Sequence, residues 1–343
     1  MTPDDSPHWF IVPALRGALS GGTLYNRGLL GALDRRRLVF QRVDLERGRA
    51  ILKRGTPGTY WVDSLYLDAF SELLRARGAR QQLGVLLHYL PTLVAHGDAA
   101  TTADLSAAER CALAEADVLL VPSRTLRDAA SRFGAERQRI LVVEPGRPRV
   151  RAASPEPELH GVLAVMIGNV VPGKGVHALL VELARELQDR DALRLCVVGG
   201  TTRDPPYARR CLDAVENSPL LRARVSFRGE LAPPEAVRAM ATGNAFVSAS
   251  VQESYGMALA EARTAGVPLL AHAGGHSAAH VDPDAGGELV STHTALARAC
   301  IRLARDPAEH ARRIERALSQ RYAPRSWRTV AGEFMAELES RGL

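Results

Sequence analysis

Short apolar runs alternate with amphipathic stretches along most of the chain. In the first half, six mainly apolar runs predict strands at residues 9–13, 38–43, 59–65, 83–90, 117–122 and 140–144. Residues 71–82 and 106–116, which lie between such runs, have helical character. Short apolar runs separated by helices are typical of a parallel sheet that is buried on both faces.

The second half repeats this alternation. Five further strands are predicted at residues 161–169, 193–200, 224–229, 244–250 and 267–273. Residues 176–189 form the clearest amphipathic helix, and its apolar face consists of Leu179, Leu180, Leu183 and Leu187. The pattern therefore predicts two similar α/β units in one chain.

A Pro- and Arg-rich segment without periodicity, residues 146–161, predicts the linker between the two units. We accordingly place a first domain at residues 1–150, a second at residues 151–322 and a terminal helix at residues 323–343. The apolar stripe of that helix, at helical spacing, consists of Trp327, Val330, Phe334 and Leu338.

Composition is that of an ordinary globular protein. The chain has 343 residues, of which 46% are hydrophobic and 24% charged, enough for two substantial cores. An uncharged apolar run of 18 residues and a signal peptide are both missing, which favours a cytoplasmic location. The four cysteines, without C-x-x-C spacing, fit reduced thiols better than a zinc site or a disulfide scaffold; they are Cys111, Cys196, Cys211 and Cys300.

The net charge of +6 does not indicate a nucleic-acid partner. Only Lys53 and Lys174 are lysines, so 42 of the 44 basic residues are arginines, and they are interleaved with 38 acidic residues. No basic cluster with aromatic spacing marks a nucleic-acid surface. One Arg-flanked amphipathic segment, residues 27–42, is compatible with weak peripheral contact with a membrane.

The most informative stretch is residues 245–270, where Glu253 and Glu261 lie eight positions apart. They flank the turn Ser254-Tyr255-Gly256, between a predicted strand and a predicted helix. Backbone N–H groups at a helix start are unpaired and partly positive, so they suit a phosphate or a sugar hydroxyl. Taken alone, either glutamate is better explained as structural: Glu253 as a helix cap and Glu261 as a solvated charge.

A second turn, GNVVPGKG, begins at Gly168 and Asn169 and ends on Lys174, again between a strand and a helix. Here an ammonium and a helix N-terminus would point at one anion. The turn fits most of G-x-x-x-x-G-K, but Gly175 stands where a nucleoside triphosphatase needs Ser or Thr, and the next strand offers no Walker B aspartate. A dinucleotide-dependent dehydrogenase is disfavoured because neither half opens with G-x-G-x-x-G.

Two features of the first half complete the candidate set. Gly21 and Gly22 follow the first strand and precede a helix predicted to begin near Leu24, so their backbone can approach a phosphate closely. His88 falls at the end of a strand, where open α/β sheets bind ligands. Taken alone, the glycine pair is better explained by an ordinary strand-to-helix turn, and a lone histidine at a strand end is more often structural.

The ordered set of motifs resembles the retaining glycosyltransferases of family 4, which have the GT-B fold. The segment S-x-x-E-S-Y-G-M-A-L-A-E-A, followed by Gly-Val-Pro, is similar to the family signature. Six other segments resemble family elements in the same order: residues 20–33, 121–134, 140–148, 165–180, 195–200 and 225–231.

The resemblance implies two Rossmann-like domains with parallel sheets, a cleft between them and a C-terminal helix that crosses back to the first domain. It implies a UDP- or GDP-linked sugar donor, a hydroxyl acceptor, a retaining mechanism, and neither a metal nor another cofactor. It does not specify the acceptor, the sugar or the oligomeric state. Gly21, Gly22 and His88 would then face the second domain's site residues across the cleft.

The resemblance also implies residue roles. Lys174, Glu253 and His88 would be catalytic: the lysine binds the diphosphate, the glutamate binds a sugar hydroxyl and the histidine contacts the sugar near its 6-hydroxyl. Glu261 would bind the ribose hydroxyls. The remaining donor-binding residues would be Gly21, Gly22, Gly168, Asn169, Ser254, Tyr255 and Gly256.

Some positions depart from the family pattern. Many members carry an arginine where Asn169 or Gly173 stands, and Ser254 replaces the usual glycine. These departures keep a second interpretation open, in which the chain is a catalytically weakened nucleotide-sugar-binding relative or a partner subunit of another transferase. A metal site at His272, His276 and His280 is not expected, because Gly274 and Gly275 interrupt any helix there.

Overall fold

The structure is a computed structural model that describes residues 7–14, 19–33, 38–150 and 161–342. These residues form two compact units, one within residues 1–146 together with residues 325–343, the other within residues 147–324. Each unit contains a parallel sheet of six described strands with helices packed against it. The predicted α/β class is therefore confirmed.

The first sheet has the strand order β2-β1-β3-β4-β5-β6. Its strands are β1 (His8–Ile11), β2 (Phe40–Val43), β3 (Gly58–Asp63), β4 (Gln81–Leu86), β5 (Val118–Val121) and β6 (Ile140–Val142). The second sheet has the order β12-β11-β10-β7-β8-β9. Its strands are β7 (Val162–Ile167), β8 (Leu193–Val198), β9 (Val225–Phe227), β10 (Ala245–Ser248), β11 (Leu269–His272) and β12 (Glu288–Val290).

The helices of the first unit connect these strands and include the last helix of the chain. They are α1 (Gly21–Ala32), α2 (Leu45–Lys53), α3 (Leu67–Ala76), α4 (Pro91–His96), α5 (Ala107–Glu115), α6 (Arg124–Arg132) and, after those of the second unit, α15 (Trp327–Arg341). The helices of the second unit are α7 (Val176–Glu186), α8 (Pro205–Glu216), α9 (Pro219–Arg224), α10 (Pro233–Thr242), α11 (Met257–Ala265), α12 (Ser277–His280), α13 (His293–Arg305) and α14 (Pro307–Ser319).

The first sheet is buried on both faces. Successive side chains of a strand point to opposite faces, so Tyr60 and Trp61 of β3 lie in two different clusters, and both are 0% exposed. Helix α15 covers the Trp61 face with Val330, Phe334 and Leu338. The terminal helix begins at Trp327 rather than at residue 323, three residues of its predicted apolar stripe are buried, and the helix belongs to the first unit.

Trp327 begins α15 and fixes its position against α1. A Cβ atom placed on Gly28 of α1 would overlap the indole ring, so only glycine allows this contact. Tyr25 meets the same indole edge-to-face, with the ring centroids 5.5 Å apart. In the second unit, the predicted apolar face of α7 is fully buried in the core with Leu296 and Ile301 of α13.

The structure corrects several local predictions. The helix predicted at residues 71–82 ends at Ala76, and Gln81 and Gln82 belong to β4. Arg77 takes an extended conformation at the C-cap, and Gly78 N–H donates to the Gln81 side chain in the turn that follows. The helix predicted to begin near Leu24 begins at Gly21, because the Ser20 side chain caps it.

Other predictions fall wholly or partly outside the described residues. Residues 151–160 contain most of the predicted linker, and residues 34–37 lie within the predicted Arg-flanked segment. None of the helices that the structure describes is both long and apolar enough to cross a membrane. The four cysteines are free, and Cys211 and Cys300 are buried in the second core.

Candidate functional site

The second sheet changes direction between β7 and β10. From β7 the chain continues outward to β8 and β9, then returns to β10 on the other side of β7. Open α/β sheets bind ligands beyond the carboxyl ends of the strands at such a switch point. Lys174 follows β7 and Glu253 follows β10, so the topology itself places both side chains at this point.

Lys174 and Glu253 form an ion pair. The lysine Nζ donates to Glu253 Oε1 at 2.5 Å, and the two side chains are 33% and 13% exposed. Burial opposes ionisation of Glu253, but the Lys174 ammonium and its hydrogen bond outweigh burial and hold the pKa of the carboxyl below its usual range. The Glu253 carboxyl is therefore ionised at neutral pH, and its partner lies 79 positions away in sequence.

The lysine turn is held against the end of β10. Pro172–Lys174 form one 3-10 turn, and Gly175 follows with φ +66°. The carbonyl oxygen of Ala249 occupies the place that a Cβ atom on Gly175 would take. Glycine is thus required there both by the positive φ and by the lack of space for a side chain. The Ser or Thr of a Walker A loop would not fit.

Gly168 lets the lysine side chain lie over the turn. It has φ +153°, and a Cβ atom there would be 3.4 Å from the Lys174 Cδ and Cε atoms. Asn169 comes next, with its side-chain oxygen 3.1 Å from the place of a Cβ atom on Gly200. The three predicted residues Gly168, Asn169 and Lys174 are therefore brought together in one turn.

A glycine pair positions the loop that carries Glu253. Cβ atoms on Gly274 and Gly275 would overlap the carbonyl oxygens of Val251 and Glu253. His276 N–H donates to the Glu253 carbonyl oxygen at 2.7 Å. The sequence identifies this pair as a helix breaker, but two consecutive glycines after a predicted strand are also a signal for a close backbone approach.

Helix α11 presents its N-terminus at the same edge. Gly256 is its N-cap with φ +86°, and no side chain caps the helix. The first-turn N–H groups therefore keep the partial positive charge of a helix N-terminus. Gly175 likewise begins α7 without a side-chain cap, although the Tyr207 hydroxyl accepts from His177 N–H at 3.0 Å.

Tyr255 points away from this edge into the second unit. Its side chain is 4% exposed, and its hydroxyl accepts from Arg147 Nη1 at 3.2 Å. Its carbonyl oxygen accepts from His280 Nε2 at 2.7 Å. Ser254, beside it, is half-buried.

Glu261 lies on α11, one turn beyond its start, and is half-buried. Burial raises the pKa of its carboxyl to about 7. Among the residues that the structure describes, this carboxyl has neither a hydrogen bond nor an ion pair. An ionisable acceptor in this position can take hydrogen bonds from two neighbouring hydroxyls.

The raised pKa of Glu261 predicts a pH-dependent cost in stability. The folded state holds its proton up to about pH 7, whereas an unfolded glutamate loses it near 4.5, so the free energy of unfolding falls as pH rises through this window. Glu261→Gln removes the titration and should gain up to about 3 kcal/mol over the wild type between pH 4 and pH 8. Urea unfolding of the wild type and the variant at pH 4 and at pH 8 measures the difference in their free energies of unfolding. The same difference at the two pH values would contradict the prediction.

The first sheet has its own switch point between β1 and β3. The chain passes from β1 to β2 on one side and then to β3 on the other. Gly21 and Gly22 begin α1 after β1, and a Cβ atom on Gly22 would be 2.9 Å from His88 Cδ2. The three predicted residues Gly21, Gly22 and His88 are therefore neighbours, because the imidazole packs against Gly22 in the first turn of α1.

Two buried residues hold the His88 ring. Its Nε2 lies 2.9 Å from Asn26 Oδ1 and 3.4 Å from Asp63 Oδ2, and Asn26 Nδ2 donates to the same Asp63 oxygen at 2.5 Å. Burial opposes ionisation of Asp63, but hydrogen bonds from His88, from Leu65 N–H and from Asn26 hold its pKa below the usual range. Sequence reasoning missed both residues; a carboxylate at the end of a fully buried strand was the available signal.

The second unit contains a domain that matches a known protein family. Residues 161–306 match the family model of the group 1 glycosyl transferases. The D-inositol 3-phosphate glycosyltransferase of Nocardia farcinica is 30% identical over 214 residues, which cover 58% of this chain and 47% of the relative. The chain thus matches about half the length of this curated relative.

Solved structures resemble the chain over nearly its whole length. The HepE protein of Anabaena, in complex with UDP and glucose, has a TM-score of 0.73 and 16% identity, covering 98% of this chain and 100% of that one. Sucrose-phosphate synthase of Thermosynechococcus elongatus has a TM-score of 0.74 and 19% identity, with 98% and 100% covered. At this identity the likeness establishes the fold alone.

Residues 161–306, in the second unit, belong to the matched glycosyl transferase domain, and the fold is that of the GT-B class with two Rossmann-like domains. The predicted GT-B fold is confirmed, and the predicted glycosyltransferase type is confirmed for the matched domain.

Proposed function

We propose that this chain is a retaining, metal-independent glycosyltransferase that moves a sugar from a UDP- or GDP-linked donor to a hydroxyl acceptor. The observation that carries the proposal is the Lys174–Glu253 pair at the switch point of the second sheet. It joins a cation suited to the diphosphate with a carboxylate suited to the sugar, inside the matched glycosyltransferase domain.

The leaving group of the reaction is a nucleoside diphosphate, so catalysis requires positive charge at its phosphates. Lys174 supplies a full charge, and the uncapped N-termini of α7 and α11 supply two dipoles. In the structure the ammonium is paired with Glu253. When the donor binds, we infer that Lys174 turns to the diphosphate while Glu253 accepts a hydrogen bond from the sugar.

The reaction then takes place on one face of the sugar. The bond from the anomeric carbon to the phosphate oxygen breaks, and a bond to the acceptor oxygen forms on the same face. The acceptor's proton passes to the departing phosphate. Glu253 is not the nucleophile in this scheme, because it serves as the partner of a sugar hydroxyl. Glu261 accepts the ribose hydroxyls through its otherwise unpaired carboxyl.

We propose that residues of the first unit contact the substrates as well. His88 contacts a hydroxyl of the transferred sugar, while the N-terminus of α1 at Gly21 and Gly22 helps hold the diphosphate and the acceptor. The short distance between Gly22 and the His88 ring supports a shared role, since both can reach one ligand.

The proposal is tested with purified protein and a panel of UDP-glucose, UDP-N-acetylglucosamine and GDP-mannose. We expect release of free UDP or GDP from one donor, slow with water and faster with a hydroxyl acceptor. Tight binding of a nucleotide sugar without release, across donors and acceptors, would instead favour the catalytically weakened relative.

Activity should persist in chelator, because the proposed diphosphate site uses an ammonium and backbone N–H groups rather than a metal. We expect the rate of nucleoside diphosphate release in 5–10 mM EDTA, about the usual working range, to stay within roughly twofold of the untreated rate, a difference below 0.5 kcal/mol. Complete loss of activity that magnesium restores would contradict this expectation.

A further inference from the structure

We propose that Asn26 and Asp63 are positioning residues that fix His88 in the tautomer protonated at Nε2, so that Nδ1 accepts a hydrogen bond from a hydroxyl of the transferred sugar. This proposal rests on the proposed function for the sugar contact itself. The hydrogen-bond chain behind it stands on the structure alone.

The tautomer follows from Asp63 by elimination. A carboxylate only accepts, so the Asn26 atom that faces Asp63 Oδ2 must be the NH2 group. The Asn26 carbonyl oxygen is then the atom 2.9 Å from His88 Nε2. A carbonyl oxygen only accepts as well, so Nε2 must carry the proton. In the neutral ring, Nδ1 is left with a lone pair.

Neighbouring residues hold the His88 ring in this orientation. Asn26 is 2% exposed and Asp63 is 1% exposed. The His88 ring packs on Gly22 on one side and meets the Tyr25 ring at 5.2 Å between centroids on another. His88 N–H donates to Ser64 Oγ at 3.2 Å, which fixes the backbone beneath the ring.

Nδ1 is the nitrogen of the His88 ring that remains available to a ligand. Within the described ranges it has no hydrogen-bond partner, whereas Nε2 is within 3.4 Å of two. A neutral Nδ1 accepts and does not donate, so it recognises a hydroxyl group. A sugar that lacks that hydroxyl leaves the nitrogen unpaired, and a site built around such a contact rejects it.

Asp63→Asn should reverse the direction of the hydrogen bonds that run from residue 63 through Asn26 to His88. The oxygen Oδ1 of residue 63 accepts from Leu65 N–H at 2.8 Å, which holds an oxygen at that end in the variant. The new NH2 group must then face Asn26, whose amide turns its oxygen toward it and its own NH2 group toward His88. Nε2 becomes an acceptor, and the proton moves to Nδ1.

Nitrogen-15 NMR of the histidine side chains, at a pH where the ring is neutral, reads this tautomer directly. We expect the His88 signal, assigned by its loss in His88→Gln, to show Nε2–H in the wild type and Nδ1–H in Asp63→Asn. The matched control is Asp117→Asn, which alters another carboxylate of the first unit that accepts a backbone N–H, from Leu83 at 2.7 Å. The control should keep the wild-type tautomer, and an unchanged tautomer in Asp63→Asn overturns the proposal whatever the chain's activity is.

Titration of the wild type separates this proposal from the function on which it rests. UDP-glucose should shift the Nδ1 signal, UDP alone should not, and the shift should disappear in Asp63→Asn together with a roughly 10- to 100-fold loss in kcat/KM, the range of one or two hydrogen bonds to a substrate. Equal shifts with UDP and UDP-glucose overturn the sugar contact. Failure of every donor in the release panel would overturn the proposed function, while the tautomer measurement still decides the role of Asn26 and Asp63.

Discussion

Replacing Lys174 with alanine is expected to lower kcat/KM for the nucleotide sugar by roughly 30- to 900-fold, because loss of one donor to a developing anion costs about 2–4 kcal/mol of transition-state stabilisation. Lys174 contributes the full charge at the proposed diphosphate site, since Asn169 and Gly173 of the same turn are uncharged. Initial rates of nucleoside diphosphate release measure the effect.

Lys53 provides the matched control, as the second of the two lysines of the chain. It lies on α2 of the first unit, 60% exposed, and its ammonium is 3.5 Å from Glu72 on the surface. Lys53→Ala should leave the rate within about twofold, because exposed ion pairs contribute roughly 0–1 kcal/mol to stability and this one lies outside the site. Near-normal turnover by a folded Lys174→Ala variant would mean that the lysine turn is not the phosphate site.

Substitution of the two glutamates should impair different quantities: kcat for Glu253, and donor binding for Glu261. Glu253→Ala is expected to reduce kcat by roughly 10- to 150-fold, the range of about 1.5–3 kcal/mol for a hydrogen bond to a charged group, without weakening nucleoside diphosphate binding. Its removal frees Lys174, which then has no carboxylate to compete with a phosphate. Glu261→Ala should instead raise KM for the donor and weaken nucleoside diphosphate binding, because ribose contacts are the same in the ground and transition states.

Calorimetric titration of both variants with UDP and GDP distinguishes the two roles. Equal loss of affinity in both would contradict the assignment of Glu253 to the sugar and Glu261 to the ribose. Circular dichroism at the assay temperature shows whether each variant is folded. Glu261→Gln serves as a second variant that keeps the shape of the side chain while removing its charge.

The sequence predicted those features that depend on short spacing. The alternation of apolar runs and helices predicted two parallel sheets, and a strand followed by a glycine turn and a helix predicted where Lys174 and Glu253 lie. These patterns are local, so a single sequence contains them. The roles assigned to the individual site residues remain predictions.

The sequence could not predict contacts between distant segments. Asn26 meets Asp63 and His88 across 37 and 62 positions, and no spacing rule connects a helix interior with the ends of two strands. The approach of Gly274 and Gly275 to Val251 and Glu253 depends on the pairing of neighbouring loops. The Lys174–Glu253 ion pair is of the same kind: both residues were recognised, but their direct contact was not.

Helix α15 has a consequence for the order in which the chain acquires its structure during synthesis. The second unit is continuous, residues 147–324, so it can finish folding as soon as its own segment has left the ribosome. The first unit begins earlier but needs Val330, Phe334 and Leu338 to cover one face of its sheet. Until these residues emerge, Phe10 and Trp61 lack part of their cover, and the half of the protein that is made first is completed last.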